Sequence, residues 1–348
     1  MASLADILDA HAREGELYER LDRNRVRCLA CAHRCVILPG LRGICGVRIN
    51  RAGALHVPFG YVSALNADPV EKKPLYHALP GAIALTFGTL GCNLHCSFCQ
   101  NWDISQTLRD AEAAGRLTKV SSDEIVGSAL RSGAKLVVSS YNEPLITAEW
   151  AAEVFRLARA QGLKTAFVSN GYASPEVLDY LLPVLDCYKV DLKAMSDRSY
   201  RRLGGRLQPV LDTIRRSVEL GYWVEVVTLV VPGLNDSTEE LRDAASFLAS
   251  VSPNIPWHVT AFHPDYRLLD AERTPASTLL RAAEIGRAAG LRYVYAGNLP
   301  GAVARYEDTT CPRCGAPLVR RRGFYVLSNR ILDGRCPECA TGIPGVWS

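Results

Sequence analysis

The amino-acid sequence predicts an α/β fold in which a parallel sheet curls into a partial (β/α)6 barrel of the TIM type. From residue 81 onward, short β-branched runs alternate with amphipathic helical segments, which is typical of parallel strands that are covered by helices. Six such units can form an open barrel. The expected strands are Ala82–Phe87, Lys135–Ser139, Lys164–Ser169, Cys187–Asp191, Trp223–Val231 and His258–Phe262, with Tyr293–Tyr295 as a candidate seventh.

The helices between these strands have recognisable start and stop signals. Ser121 and Ser237 each precede a glutamate by three residues, and this spacing predicts a capping box in which each side chain satisfies a free backbone N–H. Three predicted helices are followed by glycine just before the next strand. These glycines are Gly162, Gly221 and Gly290.

The composition argues against several classes of protein. A hydrophobic content of 48% and a charged content of 22% are ordinary for a globular protein. A formal charge of +4 on 348 residues is small and argues against nucleic acid as a partner. No apolar run reaches the roughly 18 residues that span a bilayer, and residues 1–19 lack the apolar core of a secretory signal. We therefore expect a cytoplasmic protein without membrane contact.

Twelve cysteines in a reducing compartment indicate metal sites rather than disulfides. All but one fall into three groups, which suggest three parts of the chain. We expect an N-terminal segment with a four-cysteine motif at residues 1–80, the barrel at residues 81–304, and a C-terminal four-cysteine module at residues 305–348. Cys187 stands alone in an apolar run, and we interpret it as a buried, inert thiol.

The C-terminal group consists of two Cys-x-x-Cys turns separated by 21 residues. Each turn places two sulfurs on one side of a tight loop, and paired turns of this kind usually bind structural zinc. The sequence therefore predicts a zinc-ribbon-like module, with iron as the alternative metal. Its expected ligands are Cys311, Cys314, Cys336 and Cys339.

The N-terminal group has the spacing C-x2-C-x3-C-x9-C, and nearby glycines make the chain flexible enough to wrap around a metal. Four thiolates suit either zinc or an iron–sulfur cluster, and the spacing does not separate the two. His33 lies within the motif as a substitute ligand. The expected ligands are Cys28, Cys31, Cys35 and Cys45.

The central group, Cys92, Cys96 and Cys99, offers three cysteines instead of four. Three thiolates leave one iron of a [4Fe–4S] cluster without a protein ligand, and an open coordination position is what a catalytic metal site needs. The alternative is a zinc site that is completed by His95 or His77.

Polar motifs follow the predicted strands at their carboxyl ends, where parallel α/β folds gather their chemistry. The central cysteines come directly after the first strand, so they share this edge. Each motif alone is compatible with a turn or a cap, and their repeated placement is the stronger indication. The motifs are Tyr141–Pro144, Ser169–Gly171, Asp191–Lys193, Pro232–Asp236 and His263–Pro264.

At these residues the chain resembles the radical S-adenosylmethionine (SAM) superfamily, in particular the pyruvate formate-lyase activating enzyme branch. The central cysteines match its CxxxCxxC motif, with an aromatic residue, Phe98, before the third cysteine. Tyr141–Pro144 resembles a GGEP segment with both glycines replaced, and Asp191–Lys193 resembles a DLK segment. One departure is Val168, which stands where the activating enzymes carry an aspartate, so ribose contacts would come from Ser169 or Asn170.

The resemblance implies that Cys92, Cys96 and Cys99 are catalytic and bind a [4Fe–4S] cluster whose fourth iron chelates SAM. Reductive cleavage of SAM would give methionine and a 5′-deoxyadenosyl radical that takes hydrogen from a substrate. Glu143 would accept from the ammonium of SAM, and Lys193 would pair with its carboxylate. The implied cofactor-binding residues are Phe98, Asn142, Glu143, Ser169, Asn170, Asp191, Lys193 and His263.

A more specific resemblance, to the AmmeMemoRadiSam system radical SAM enzyme family, covers almost the whole chain. It rests on the N-terminal cysteine motif, on the segments Asp68–His77, Gly91–Asn101 and Gly297–Gly301, and on the terminal module. It implies AMMECR-type and Memo-type proteins as candidate partners. A flavodoxin or ferredoxin would serve as the electron donor.

Two rival functions remain open at this point. The chain could be an activating enzyme that creates a glycyl radical on a partner protein, which the branch resemblance favours. It could also be a non-catalytic zinc protein that contacts RNA through Arg320–Arg322. Lys72 and Lys73 could neutralise an anionic substrate, but we interpret them as a solvated pair.

Overall fold

The computed structural model describes residues 4–348, and its N-terminal part consists of short elements. Strands β1, β6 and β5 form one antiparallel sheet, and β2, β3 and β4 form another. The elements are α1 (Leu4–Ala10), β1 (Ala12–Glu14), β2 (Tyr18–Arg20), β3 (Val26–Cys28), β4 (Val36–Ile37), β5 (Ile49–Arg51), β6 (Ala54–Pro58), β7 (Tyr61–Val62) and β8 (Ala64–Pro69).

The centre of the molecule is an eight-stranded, mostly parallel sheet with the strand order β16-β15-β14-β13-β12-β11-β9-β8. Only the β8–β9 pair is antiparallel among these strands of the described chain. The elements are β9 (Ile83–Gly88), α2 (Trp102–Ser105), β10 (Thr118–Lys119), α3 (Ser122–Arg131), β11 (Leu136–Ser139), α4 (Ala148–Ala160), β12 (Lys164–Ser169), α5 (Pro175–Leu181), β13 (Cys187–Asp191), α6 (Asp197–Arg202), α7 (Leu207–Glu219), β14 (Trp223–Val230), α8 (Thr238–Val251), β15 (Trp257–Ala261), α9 (Ala276–Ala288) and β16 (Val294–Gly297).

This arrangement confirms the expected α/β class and the mostly parallel sheet. The six predicted strands and the candidate seventh all occur, and their ends lie within two residues of the predicted ones. Strand β8 was not predicted, because its sequence around Asn66 and Asp68 is polar. Polar residues suit an edge strand, where one side faces solvent.

The helix signals are confirmed in part. Ser121 and Glu124 form the complete capping box at the start of α3. Ser237 caps α8 through the backbone N–H of Glu240, but the Glu240 carboxylate accepts a hydrogen bond from the Met195 backbone instead of completing the box. Local spacing predicts the cap but not the competing long-range donor. Among residues 4–348, no helix is long and apolar enough to cross a membrane.

Alternation along β13 separates the core from the site. Tyr188 and Val190 pack into the main hydrophobic core beneath the helices, whereas Cys187, Lys189 and Asp191 face the other side of the sheet, because successive strand residues point to opposite faces. Cys187 is fully buried among apolar residues, and this burial raises the pKa of its thiol well above the usual range. The interpretation of Cys187 as an inert thiol agrees with this environment.

A buried ion pair joins the N-terminal segment to helix α4. The Arg48 guanidinium donates to both carboxylate oxygens of Glu149, at 2.9 and 2.5 Å, and to the Ile146 carbonyl at 3.2 Å. The side chains of Arg48 and Glu149 are 1% and 3% exposed. Glu149 also accepts from the backbone N–H of Leu17 at 3.2 Å, so one carboxylate holds two parts of the segment.

The C-terminal residues form a three-stranded antiparallel sheet that packs on the amino-end side of the central strands. Its strands are β17 (Thr309–Thr310), β18 (Pro317–Arg322) and β19 (Tyr325–Asn329). Arg321 is buried and donates to the Tyr76 carbonyl at 2.8 Å and to Thr309 Oγ1 at 2.8 Å, with Glu71 Oε1 3.4 Å from its Nε. His77 lies at the same end, 2.7 Å from the Pro344 carbonyl and 2.7 Å from the Tyr295 hydroxyl.

These contacts correct two interpretations of the sequence. His77 cannot complete a zinc site with the central cysteines, because it lies at the amino end of the strands and they follow the carboxyl end of β9. Arg320–Arg322 is not a continuous basic surface, because Arg321 is buried while Arg320 and Arg322 are exposed. The hypothesis that the chain contacts RNA through Arg320–Arg322 thereby loses its main support.

We expect Glu149→Gln to destabilise the fold by about 3–5 kcal/mol, because it leaves the buried Arg48 charge without its partner. The matched control is Glu176→Gln, which removes another link between the N-terminal segment and a helix, the Arg34–Glu176 pair. Both of its side chains are 39% exposed, so its loss should cost about 1 kcal/mol or less. Denaturant unfolding measures both variants, and equal effects would contradict the assignment.

Candidate active site

A cavity of about 410 Å³ opens at the carboxyl edge of the central sheet. It brings together most of the site residues that the sequence predicts. The predicted residues that line it are Cys92, Phe98, Cys96, Cys99, Asn142, Glu143, Ser169, Asn170, Asp191 and Lys193. His263 is not among the lining residues of the described chain: it is 46% exposed and contacts Gln100 Nε2 at 3.2 Å from its Nδ1.

The three central cysteines occupy the loop between β9 and α2. The Leu94 N–H donates to Cys92 Sγ at 3.4 Å, and Cys99 Sγ lies 3.2 Å from Ser105 Oγ. Burial raises the pKa of Cys96 to about 11, and it raises the pKa values of Cys92 and Cys99 above the usual range. The thiols must therefore lose protons when they bind a metal.

The donor set fits a [4Fe–4S] cluster with one open iron. In the described part of the chain, the lining of this cavity contains three thiols and no imidazole. His95, the remaining candidate for a fourth ligand, is exposed and its ring packs against Gly204. Three thiolates without a fourth protein ligand leave a coordination position for a small molecule.

Asn142 ties the cysteine loop to the end of β11. Its Oδ1 accepts from the Thr89 N–H at 2.9 Å, and its Nδ2 donates to Thr89 Oγ1 at 2.9 Å and to the Gly91 carbonyl at 3.0 Å. Asn142 is buried, so these bonds form away from competing water. They fix the direction in which the chain leaves β9 and enters the three-cysteine loop.

Tyr141 adopts a left-handed backbone conformation, with φ of 70°. This conformation is strained for a residue with a Cβ and is unstrained for glycine, which agrees with the resemblance of Tyr141–Pro144 to a GGEP segment. The Tyr141 hydroxyl lies 3.1 Å from Asn66 Nδ2 and 3.4 Å from Lys73 Nζ. The strained residue thus places an aromatic wall and a hydroxyl beside the cavity.

Glu143 carries a buried carboxylate that accepts three hydrogen bonds. The donors are the backbone N–H of Asn170 at 2.8 Å, the backbone N–H of Leu145 at 3.0 Å and Ser169 Oγ at 2.7 Å. Burial raises the pKa of Glu143 to about 7, although these hydrogen bonds oppose the shift. A cation in the cavity would balance the negative charge of Glu143, because no lysine or arginine forms an ion pair with this carboxylate in residues 4–348.

Asp191 lies between two lysines. Lys189 Nζ contacts one carboxylate oxygen, and Lys193 Nζ is 3.2 Å from the other. Burial alone would raise the pKa of Asp191, but the two lysines hold it below the usual range. Burial would lower the pKa of Lys193, but Asp191 and the nearby Cys96 thiol raise it above the usual range. The triad therefore carries a net positive charge into the cavity.

Sequence reasoning missed several lining residues. Lys189 could have been found, because it precedes Asp191 by two positions and shares its face of β13. Lys73, interpreted as part of a solvated pair, is only 5% exposed, whereas Lys72 is 49% exposed. Phe324 reaches the cavity from the loop between β18 and β19, and no local pattern in the sequence indicates this.

The outer cysteines form two further groups. The C-terminal sulfurs all lie within 4.8 Å of one another, a spacing that could hold a metal ion. Hydrogen bonding by Thr341 lowers the pKa of Cys339 to about 6. The N-terminal cysteines gather beside the three-cysteine loop, where Cys28, Cys31 and Cys45 are buried and Cys35 is partly buried.

Comparison with known proteins decides the family. The model of the Radical SAM superfamily matches residues 87–248. The chain is 38% identical over 338 residues to MJ0808, an uncharacterized protein of Methanocaldococcus jannaschii, covering 95% of this chain and 98% of that protein. This chain belongs to the radical SAM superfamily. Membership implies a [4Fe–4S] cluster and SAM as cofactors, and an enzymatic function.

Other radical SAM relatives include activating enzymes. The chain is 26% identical over 201 residues to the pyruvate formate-lyase-activating enzyme of Clostridium pasteurianum, covering 52% of this chain and 81% of that enzyme. It also resembles a solved domain of pyruvate-formate lyase-activating enzyme from Bacteroides vulgatus, with a TM-score of 0.41 and 21% identity, over 47% of this chain and 98% of that domain.

The pKa of Glu143 predicts a pH effect on stability in the absence of SAM. Its value near 7 in the folded protein exceeds the value near 4.5 of an exposed glutamate, so the folded state holds the proton more tightly. The stabilisation is complete below about pH 4.5, and about 3 kcal/mol is lost as the pH rises through 7. We expect the unfolding free energy of the wild type, relative to that of Glu143→Gln, to fall by about 3 kcal/mol between pH 5 and 8. If the unfolding free energies of the two proteins changed equally with pH, the burial of a titrating carboxylate at Glu143 would be contradicted.

Proposed function

We propose that this radical SAM enzyme binds its [4Fe–4S] cluster through Cys92, Cys96 and Cys99 and uses it to cleave SAM. When bound, the cluster and SAM supply reductive cleavage to methionine and a 5′-deoxyadenosyl radical, which abstracts hydrogen from a substrate. The observation that carries the proposal is the set of three thiols in one cavity, Cys96 buried and Cys92 and Cys99 partly buried, beside a carboxylate and a lysine of opposite charge.

The residues of the chain have complementary tasks in this proposal. The Glu143 carboxylate accepts from the ammonium of SAM, and Lys193 pairs with its carboxylate, since each is a charge-assisted hydrogen bond in a buried site. Asp191 holds the Lys193 side chain in position at 3.2 Å. Phe98, Asn142, Ser169 and Asn170 complete the binding surface, and His263 would reach SAM only after its exposed side chain turns inward.

The lining residues that are not assigned to SAM would receive the substrate. Lys73, Tyr141, Asn298 and Phe324 line this part of the cavity, and they come from four separate regions of the chain. Phe324 belongs to the C-terminal module, so the module would cover the reacting centre and exclude water. Lys73 forms an ion pair with Asp68 at 3.0 Å, so it offers the substrate a hydrogen-bond donor whose charge is already balanced.

A second candidate is the activation of a partner protein by formation of a glycyl radical. The similarity to the pyruvate formate-lyase-activating enzyme of Clostridium pasteurianum favours it. We also propose membership of the AmmeMemoRadiSam system family, with AMMECR-type and Memo-type proteins as partners and flavodoxin or ferredoxin as electron donor. The N-terminal cysteine motif and the terminal module support this assignment.

The first test is production of 5′-deoxyadenosine from SAM by the anaerobically reconstituted protein with dithionite. We expect product from wild type and none from the Cys92→Ala, Cys96→Ala, Cys99→Ala triple variant, which loses the cluster. The matched control is Cys187→Ala, which removes a buried thiol of the same sheet and should retain activity. Absence of product from iron-loaded wild type would refute the proposed chemistry.

We further propose that Cys311, Cys314, Cys336 and Cys339 bind one structural zinc ion. Zinc–sulfur bonds of about 2.3 Å place tetrahedral sulfurs about 3.8 Å apart, close to the Cys311–Cys339 and Cys314–Cys336 distances of 3.6 and 3.7 Å. We expect Cys336→Ser to abolish zinc binding, measured by elemental analysis, and to leave the iron content unchanged. Zinc retained in this variant, or iron lost with it, would assign the metals differently.

A further inference from the structure

Backbone contacts bring the N-terminal cysteines together. The Cys28 N–H donates to the Cys35 carbonyl at 3.0 Å, and a Cβ at Gly43 would lie 3.6 Å from Cys35 Sγ. The Gly46 N–H donates to the Gly43 carbonyl at 2.9 Å, and this turn keeps Cys45 beside the group. Backbone N–H groups of Ala30 and His33 point at the sulfurs of Cys28 and Cys31, as donors to thiolates do in metal-binding loops.

This group differs from the C-terminal one in its spacing. The C-terminal sulfurs lie within 4.8 Å of one another, as ligands of a single ion do, and the N-terminal four form no such compact group within residues 4–348. In a [4Fe–4S] cluster each thiolate binds a different iron, so the sulfurs stand farther apart than around one zinc ion. An N-terminal group without the compact spacing of a single-ion site is compatible with a cluster.

Asn93 links the two cysteine groups. It is fully buried and adjoins Cys92 in the chain, and its Oδ1 accepts from Asn170 Nδ2 at 2.7 Å. Its Nδ2 lies beside the Cys31 sulfur and has no hydrogen-bond partner that meets normal geometry among the described residues. A buried donor without a partner is costly, and a sulfur of a metal-bound Cys31 would satisfy it.

Other contacts hold the two loops together. His33 Nε2 lies 2.8 Å from the Asn93 carbonyl. The Arg109 guanidinium donates to the Cys92 carbonyl at 2.7 Å and also to the Ile44 carbonyl, next to Cys45. Gly91 allows the closest approach, because a Cβ at this position would lie 2.8 Å from the Cys45 carbonyl oxygen. This continuity with the catalytic loop provides the short distance that electron transfer between two metal centres requires.

We propose that Cys28, Cys31, Cys35 and Cys45 bind an iron–sulfur cluster that passes single electrons to the central cysteine site by way of Asn93. The inference rests on the proposed function, since the electron needs a cluster at Cys92, Cys96 and Cys99 as its destination. A reduced one-electron carrier protein, a flavodoxin or ferredoxin, donates to the N-terminal cluster. That cluster is oxidised again as the central one is reduced, and no atom is transferred.

The solvent side of the same segment offers the surface where the carrier would dock. Val36, Leu38, Leu41 and Ile44 are 48%, 49%, 55% and 49% exposed, and all lie between Cys35 and Cys45 or beside them. Exposed apolar residues grouped in this way are typical of interaction sites. Their position in the chain between Cys35 and Cys45 favours a redox partner, because electron transfer requires close approach to the cluster.

Metal analysis of the reconstituted protein tests the site. We expect about eight irons per chain in wild type and about four in the Cys92→Ala, Cys96→Ala, Cys99→Ala variant, with an iron–sulfur signal in its Mössbauer and reduced-state electron paramagnetic resonance spectra. A Cys31→Ser variant should lose this second signal and keep the central one. Zinc in place of iron at the N-terminal site would overturn the inference.

Reduction kinetics test the path. Leu41→Asp should slow reduction by reduced flavodoxin about tenfold or more, while reduction by dithionite, which needs no docking surface, stays unchanged. The matched control is Leu332→Asp, at a 65% exposed leucine of the C-terminal module, which should behave as wild type. If flavodoxin reduced wild type, Leu41→Asp and Leu332→Asp at equal rates, the proposed docking surface would be wrong.

The outcomes separate the two proposals. Product formed with dithionite, together with zinc at the N-terminal cysteines, would refute the electron path and leave the proposed function standing. Iron at both sites without 5′-deoxyadenosine would refute the proposed function instead, and the path would then lose its destination.

Discussion

The hydrogen bonds of Asn142 and Glu143 hold the functional edge of the sheet together. Asn142 binds the loop after β9, and Glu143 binds the loop after β12, so two adjacent residues at the end of β11 fix the segments on either side. Both side chains are buried, where an unsatisfied polar atom would be costly. The three-cysteine loop is consequently positioned by the sheet before any metal binds, as a precise cofactor site requires.

The N-terminal segment and the C-terminal module are each joined to the rest of the molecule by a buried arginine. Arg48 and Glu149 bind the N-terminal segment to α4, and Arg321 binds the C-terminal module to residues that precede β9. A buried ion pair gains little net stability against its desolvation. Its directional bonds nevertheless fix how the parts meet, and here they bring the N-terminal cysteines against the catalytic loop and Phe324 into the cavity.

The sequence predicts those features that depend on local order. β-branched runs and glycine stops place the strands, and once the strands are parallel, Cys92 and Glu143 must meet at one edge. Lys73 and Phe324 escape such reasoning, because their burial at the cavity depends on how distant segments pack. Glu240 shows the same limit, since its spacing from Ser237 predicts a capping box but the Met195 backbone is the stronger competitor. Val168 stands where the activating enzymes carry an aspartate, and the sequence offers only the adjacent Ser169 and Asn170 in its place.

The number of cysteines in each group gives the three sites different tasks. Three thiols leave an iron open for SAM, and a site with an open position can do chemistry. Four thiols close the coordination of a metal, which then either stabilises the fold or carries electrons. The compact C-terminal group lies at the opposite end of the strands from the three-cysteine loop and suits the first role. The N-terminal group contacts that loop through Asn93, His33 and Arg109, and this contact suits the second role.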